Sequence, residues 1–160
     1  MKKYLTRSNI LYASFLCAVI VSCLICSVFF YQLAIIDGES MSPTYSPLEF
    51  VIIDKTENEL CRGDVVAVSV PSIGGNVVKR IAALPGDRII ISDGKVLVNG
   101  EESPYFGYVE YAGLAECELT LPEGGYFLIG DNTAYSRDSR YEEIGIVYES
   151  DIIGKIIPQR

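Results

Sequence analysis

The hydrophobic pattern divides the chain into two unlike parts. From Ser8 to Ile36 no residue is charged, and the centre of that stretch, Ile10 to Leu33, is almost wholly apolar. Wound as a helix, such a run is long enough to cross the ~30 Å hydrocarbon core of a bilayer, so the pattern predicts a membrane-spanning helix. A cleaved secretory leader would have a shorter apolar core of ~7 to 15 residues, followed by a small-residue cleavage site and polar sequence. A core helix apolar on every side would be out of place in so small a domain.

Beyond Asp37 the pattern changes to short runs of β-branched and aromatic residues, punctuated by Gly, Pro, Asn and Asp. Helical periodicity is missing there, and strands are predicted at Phe50 to Asp54, Asp64 to Val70, Val77 to Ala83, Arg88 to Ile91, Lys95 to Val98, Tyr126 to Ile129 and Ile152 to Ile157. Asp93-Gly94 supplies the positive φ angles of a two-residue hairpin turn, and Asn99-Gly100 marks the next reversal. Pro71 to Asn76 reads as a loop between strands, while Ser103 to Leu121, rich in Tyr and Glu, gives no clear pattern. The expected fold is mainly β: a single N-terminal transmembrane helix with its tail over residues 1–36, then an antiparallel sheet or barrel-like domain over 37–160.

Charge orients this arrangement. Every charged residue before Asp37 is basic (Lys2, Lys3 and Arg7), which leaves 10 Lys and Arg against 21 Asp and Glu in the rest, a formal net charge of −11. The positive-inside rule then puts the amino terminus in the cytoplasm and the bulk of the chain outside a single-pass anchor at the cell membrane. So acidic a domain argues against nucleic acid as a partner, since phosphate binding draws on clustered Lys and Arg. Cys17, Cys23 and Cys26 fall in the apolar run, and Cys61 and Cys117, far apart in sequence, do not by themselves establish a disulfide.

The chain has no histidine, which removes Ser-His-Asp triads, Cys-His pairs and His-ligated zinc. A hydrolase built from these residues needs a carboxylate or a lysine as its base, and burial can bring a lysine pKa towards neutrality. Of the lysines beyond Asp37, Lys79 alone is embedded in an apolar strand-like run, with Val77, Ile81 and Ala83 on its face and Arg80 on the other. The bland alternative is an edge-strand lysine that discourages aggregation. Ser40, between Gly38 and Pro43 just past the anchor, sits on a constrained loop; by turn chemistry alone it is an ordinary polar turn.

Four segments, taken in order, resemble bacterial type I signal peptidases: Gly38-Glu39-Ser40-Met41-Ser42-Pro43-Thr44, Arg62-Gly63-Asp64-Val65-Val66, Lys79 through Asp87, and Gly130-Asp131-Asn132 with Ser136-Arg137-Asp138-Ser139-Arg140. The resemblance spans nearly the whole chain behind an N-terminal anchor. It implies a catalytic β-rich domain in which Ser40 is the nucleophile, Lys79 the general base, and Ser136 a hydroxyl that holds the Lys79 amine. Asp138 with Arg140, and Asp131 with Arg80, match charged supports of the site, the alternative being surface salt bridges worth ~0 to 1 kcal/mol. The substrates implied are secreted preproteins, cut after small side chains at the first and third positions before the scissile bond. No cofactor or metal is expected.

Ile36, Met41, Tyr45, Val77 and Val78 flank the dyad in sequence and are candidate pocket walls or, equally, ordinary core. An extended substrate would add as a strand beside Val77 to Ala83. Two departures from the family pattern stand out: Gly38 removes a side-chain donor to the oxyanion that some members supply, and Thr133 replaces an arginine. Two other readings stay open, a specialised conjugation or pilus maturation peptidase and a catalytically silent factor that binds exported proteins at the membrane.

Overall fold

The computed structural model describes residues 7–57 and 59–158. Helix α1 (Arg7–Phe30) is followed by eleven strands: β1 (Tyr31–Ile35), β2 (Phe50–Asp54), β3 (Val65–Val70), β4 (Gly75–Ala83), β5 (Arg88–Ser92), β6 (Lys95–Val98), β7 (Glu101–Glu102), β8 (Leu119–Thr120), β9 (Gly125–Ile129), β10 (Val147–Tyr148) and β11 (Ile152–Ile156). Lys2, Lys3 and the side chain of Arg7, on which the expected orientation rests, lie outside the described residues.

The apolar run does not end as one helix. Its 24 helical residues, about 36 Å at 1.5 Å per residue, stop at Phe30, and Tyr31–Ile35 turns into an edge strand paired antiparallel with β2 from Tyr31↔Asp54 to Ile35↔Phe50. The helix was expected to continue to Leu33. Gln32 is the only strongly polar residue beside the switch, but Val28-Phe29-Phe30-Tyr31 is rich in β-formers, and pairing with β2 gives the backbone the partners it loses at the helix end. Over Ser8–Ile25 the helix is long and apolar enough to cross a membrane, and none of it is buried against the domain.

Seven strands form one sheet in the order β1-β2-β11-β3-β4-β9-β10, and four form a second in the order β7-β6-β5-β8; every pairing is antiparallel. Strand β3 shows why the sheet is apolar on both faces: Val65 and Ala67 pack in one cluster with Met41, Val51 and Ile156, while Val66, Val68 and Val70 pack in another with Ile81 and Leu128. Alternate residues thus enter different cores, which is what a nearly unbroken apolar strand encodes. Register breaks between Ile81 and Ala83 against β9, and Ala82 and Ala83 enter a third cluster with Ile89, Val98 and Phe127 that joins the two sheets.

Asp93 and Gly94 have φ of 51° and 75°, and Asn99 and Gly100 of 55° and 86°, so both anticipated reversals are two-residue turns with left-handed backbones. The loop expected at Pro71 to Asn76 is shorter, because Gly75 and Asn76 already pair with Val70 and Ser69. In the unread stretch the tyrosines cover glycines. The ring of Tyr105 lies where a side chain at Gly63 would have to go, and that of Tyr108 does the same at Gly94. Cys61 and Cys117 are exposed and free.

Candidate active site

Past β1 the chain stays tied to β2's entry, with Ile36 N–H donating to Glu49 O at 2.9 Å and Leu48 N–H to Ile36 O at 2.9 Å. Gly38, at φ 86°, then lets it turn outward, and a tight turn in which Ser42 N–H meets Glu39 O and Tyr45 N–H meets Met41 O presents Ser40. The Ser42-Pro43 peptide within this turn is cis. Met41 and Tyr45 are buried in one core cluster, which roots the turn in the core.

Lys79 approaches from β4. Its side chain is 4% exposed, and Nζ lies 2.7 Å from Ser40 Oγ and 3.0 Å from Val78 O. Burial lowers its pKa from 10.5 to about 8; Asp138 and Asp131 pull the other way, and Arg140 assists burial. At pH 8 the amine is therefore neutral about half the time, and a neutral amine can accept the Ser40 proton across that contact.

The two expected charge pairs are present, and neither is a surface salt bridge. Arg80 Nε donates to Asp131 Oδ1 at 2.7 Å and Nη2 to Oδ2 at 2.5 Å, while Nη1 reaches Gly63 O at 2.6 Å. Thr44 Oγ1 also bonds Asp131 Oδ2, so this pair ties the Ser40 turn to the segment after β9. Arg140 and Asp138 are buried to 1% and 0% exposure. Arg140 Nε meets Asp138 Oδ1 at 2.8 Å, its Nη2 meets Oδ2 at 2.9 Å, and Gly130 N–H donates to Asp138 Oδ2 at 3.0 Å. The remaining guanidinium donors go to the carbonyls of Tyr111, Thr133 and Ser136.

Ser136 Oγ is buried and has no hydrogen-bond partner, the sole such side-chain atom among the described residues. In this conformer it does not bond Lys79. It nevertheless lies near the Ser40 main chain: a Cβ built on Gly130 would stand 2.2 Å from Ser136 Oγ and 2.5 Å from Ser40 O. Gly130 is thus the gap through which the two serine segments approach, and Asn132 N–H closes it by donating to Ser40 O at 3.0 Å.

Ser40 and Lys79 line a groove of about 320 Å³. Ile36, Met41, Val77 and Val78 border it, Ile36 and Met41 being buried core residues at the same time, whereas Tyr45 is not among its walls and packs in the core below. Further lining comes from Asp37, Glu39, Ile73, Asn76, Tyr135 and Arg137. The strand edge open to it is shorter than Val77 to Ala83, because Arg80, Ile81 and Ala83 are paired with β9; pairing with β9 does not extend to Gly75–Lys79.

Residues 8–158 match the family described as signal peptidase, peptidase S26. The chain belongs to that family. It is similar to signal peptidase I U of Bacillus subtilis, at 34% identity over 78% of this chain and 73% of the relative, and to signal peptidase I of Bacillus licheniformis, at 30% over 84% and 79%. A solved signal peptidase I of Enterococcus faecalis is 28% identical, covers 61% of this chain and 97% of its own, and superposes with a TM-score of 0.48. The chain is accordingly a serine-type peptidase of the bacterial type I class, mainly β with one apolar N-terminal helix.

Three residues inside the motif segments, given no role from the sequence, make structural contacts outside the groove lining. Arg62 and Asp87 come from two of those segments and pair at 2.7 Å and 2.5 Å, and Asp87 also takes Leu84 N–H and Asn99 Nδ2. Ser139 is wholly buried, accepts Leu128 N–H on Oγ at 3.0 Å and donates its own N–H to Leu128 O at 3.0 Å. Both lock the strand ends that carry the site, a role visible only once the strands are paired.

Proposed function

We propose that this peptidase removes signal peptides from exported preproteins, using Ser40 as nucleophile and Lys79 as general base. The observation that carries this reading is the 2.7 Å contact between a buried lysine nitrogen and a serine oxygen at the floor of an open groove. Neutral Lys79 takes the Ser40 proton as Oγ adds to the scissile carbonyl. The resulting ammonium gives that proton to the leaving amine as the C–N bond breaks, which leaves an ester on Ser40. Water then attacks the ester, with Lys79 accepting its proton and returning one to Ser40 Oγ. The backbone N–H of Ser40 is the proposed donor to the oxyanion, and Gly38 offers no side chain to assist. Ser136 Oγ, buried and without a partner, is the proposed acceptor that steadies the amine once it moves.

The substrate enters as an extended strand against Gly75–Lys79, with Ile35 to Asp37 forming the opposite wall. Main-chain pairing tolerates many sequences, and the small apolar walls at Ile36, Met41, Val77 and Val78 select small side chains. Helix α1 anchors the domain, with the amino terminus in the cytoplasm and the groove outside. The sheet supports a seat at the bilayer surface: Leu33, Ile35, Phe50 and Ile52 share the outward face of β1 and β2 and are exposed, in a strand pair continuous with the anchor.

The test is a detergent-solubilised enzyme with a labelled preprotein ending in an Ala-X-Ala site. Wild type releases the mature product, and Ser40→Ala does not while keeping its far-UV circular dichroism; residual cleavage by Ser40→Ala removes the nucleophile assignment. The pH profile checks the base separately. Because the neutral amine is the working form, kcat/KM should rise about tenfold per pH unit up to about 8 and then level. A limb near pH 4 to 5 would instead point to a carboxylate, whose ordinary pKa is about 4.

A further inference from the structure

The signal-peptide reading leaves the charges along the groove unassigned, and the following inference rests on that reading. We propose that Arg137 reads charge in the substrate, favouring preproteins that present an acidic side chain to it close to the cut. Arg137 stands between two buried residues, Ser136 and Asp138, yet its own side chain is 70% exposed and lines the same groove as Ser40 and Lys79. Apart from Lys79 it is the only cation lining that groove among the described residues. Asp37 and Glu39 line it too, both exposed, and they hang from the turn that carries Ser40. A substrate side chain therefore meets opposite signs on different walls.

Arg137 is held in place. One guanidinium nitrogen pairs with the Glu143 carboxylate, and its central carbon lies 5.9 Å from the centroid of the Tyr141 ring. The backbone at Glu143 is tied down, because Ser72 Oγ donates to its main-chain carbonyl, and Ser72 belongs to the turn Pro71–Ile73 whose Ile73 also lines the groove. A guanidinium carries five N–H donors in a planar fork, so pairing with one carboxylate leaves donors for a second. In a domain of formal charge −11 an acidic substrate is otherwise repelled, and this fixed cation marks the point where it is accepted. The position is also independent of the chemistry, since the dyad and its supports use Ser136 and Asp138 on either side.

The test compares full-length wild type, Arg137→Glu and Arg137→Ala in detergent on peptides spanning an Ala-X-Ala site. Glu or Lys is placed in turn at each position within three residues of the cut, other than the two alanines. The readout is the ratio of kcat/KM for Glu over Lys at each position, which cancels any change common to both substrates. Wild type should favour Glu about three- to fivefold at one or two positions, as exposed, screened pairs do. At those positions Arg137→Ala should bring the ratio near one, Arg137→Glu should invert it, and raising salt from about 0.05 to about 0.5 M should compress it. The same ratio in all three enzymes at every position overturns the proposal, and Arg137→Ala alone decides it if Arg137→Glu fails to fold. Should wild type cut none of the peptides, Glu, Lys or all-Ala, the signal-peptide reading itself fails and this inference goes with it.

Discussion

Replacing Lys79 by methionine is expected to make the protein inactive and, at pH 7, more stable. The loss of activity follows from its proposed role: without a base beside Ser40 Oγ, cleavage should fall by about 10⁴-fold or more. The gain follows from proton linkage. Lys79 has a pKa of about 8 in the folded chain against 10.5 in its absence. Between those values the unfolded chain binds more protons than the folded one, so unfolding free energy climbs as pH rises through that window. Below about pH 8 the buried ammonium holds the folded state down by its full amount, about 3 kcal/mol from the pKa difference. Methionine is unbranched, similar in length and apolar, and can fill the same space without that penalty.

Two contacts offset part of the gain. Val78 O and Ser40 Oγ, both partly buried, lose the partner that Lys79 Nζ provides, and each such polar atom left unpaired costs about 1 kcal/mol. The net expectation is a stabilisation of about 1 kcal/mol at pH 7, visible as a rise of several degrees in Tm for a domain of this size. Thermal unfolding of both proteins from pH 7 to pH 10 checks the origin of the effect. The advantage of Lys79→Met should shrink as pH rises, because wild type sheds its penalty. An advantage that is absent at pH 7, or constant across the range, would mean that burial is not what tunes this lysine.

The same burial was legible before any fold was known, because Lys79 alone among the lysines beyond the anchor is flanked by Val77, Val78 and Ile81. Strands with β-branched runs and Asp-Gly or Asn-Gly ends were legible for the same reason: local chemistry there agrees with the final pairing. The two-residue strands β7, β8 and β10 carry no pattern of their own and exist only because a longer neighbour reaches them. The end of helix α1 was hidden by uniformity, since helix and strand are both apolar there and only the partner β2 decides. At the site, Lys79 stood out by its apolar strand, whereas Ser40 and the partners of the charged residues came from the resemblance rather than from local chemistry or spacing. The role of Gly130 came from neither: its reason is a close approach between segments 90 residues apart in the chain, Ser40 and Gly130 itself. Tyr45 shows the reverse, a neighbour of Ser40 in sequence that the turn buries in the core.

The pair Arg140 and Asp138 is where substitution should do most damage to the fold. Arg140→Met removes the fork that holds Asp138, and it also strips donors from the carbonyls of Tyr111, Thr133 and Ser136. Asp138, at 0% exposure, would then be a buried carboxylate with only the backbone N–H groups of Gly130 and residue 140 as partners. Breaking one side of such a pair costs about 3 to 5 kcal/mol, a large share of the 5 to 15 kcal/mol that holds a typical domain. Arg140→Lys should recover little, because an ammonium cannot reach both carboxylate oxygens and three carbonyls from one planar group. The double variant Arg140→Met with Asp138→Leu should be less destabilised than the sum of its single changes, since neither charge is left alone. Urea unfolding followed by far-UV circular dichroism measures all four variants. A loss below about 1 kcal/mol for Arg140→Met would show that the pair is replaceable packing. Activity should fail with stability here, because Asp138 holds Gly130 N–H and the segment beginning there binds Ser40 O through Asn132 N–H. The charge pair is thereby linked through the backbone to the turn that carries Ser40.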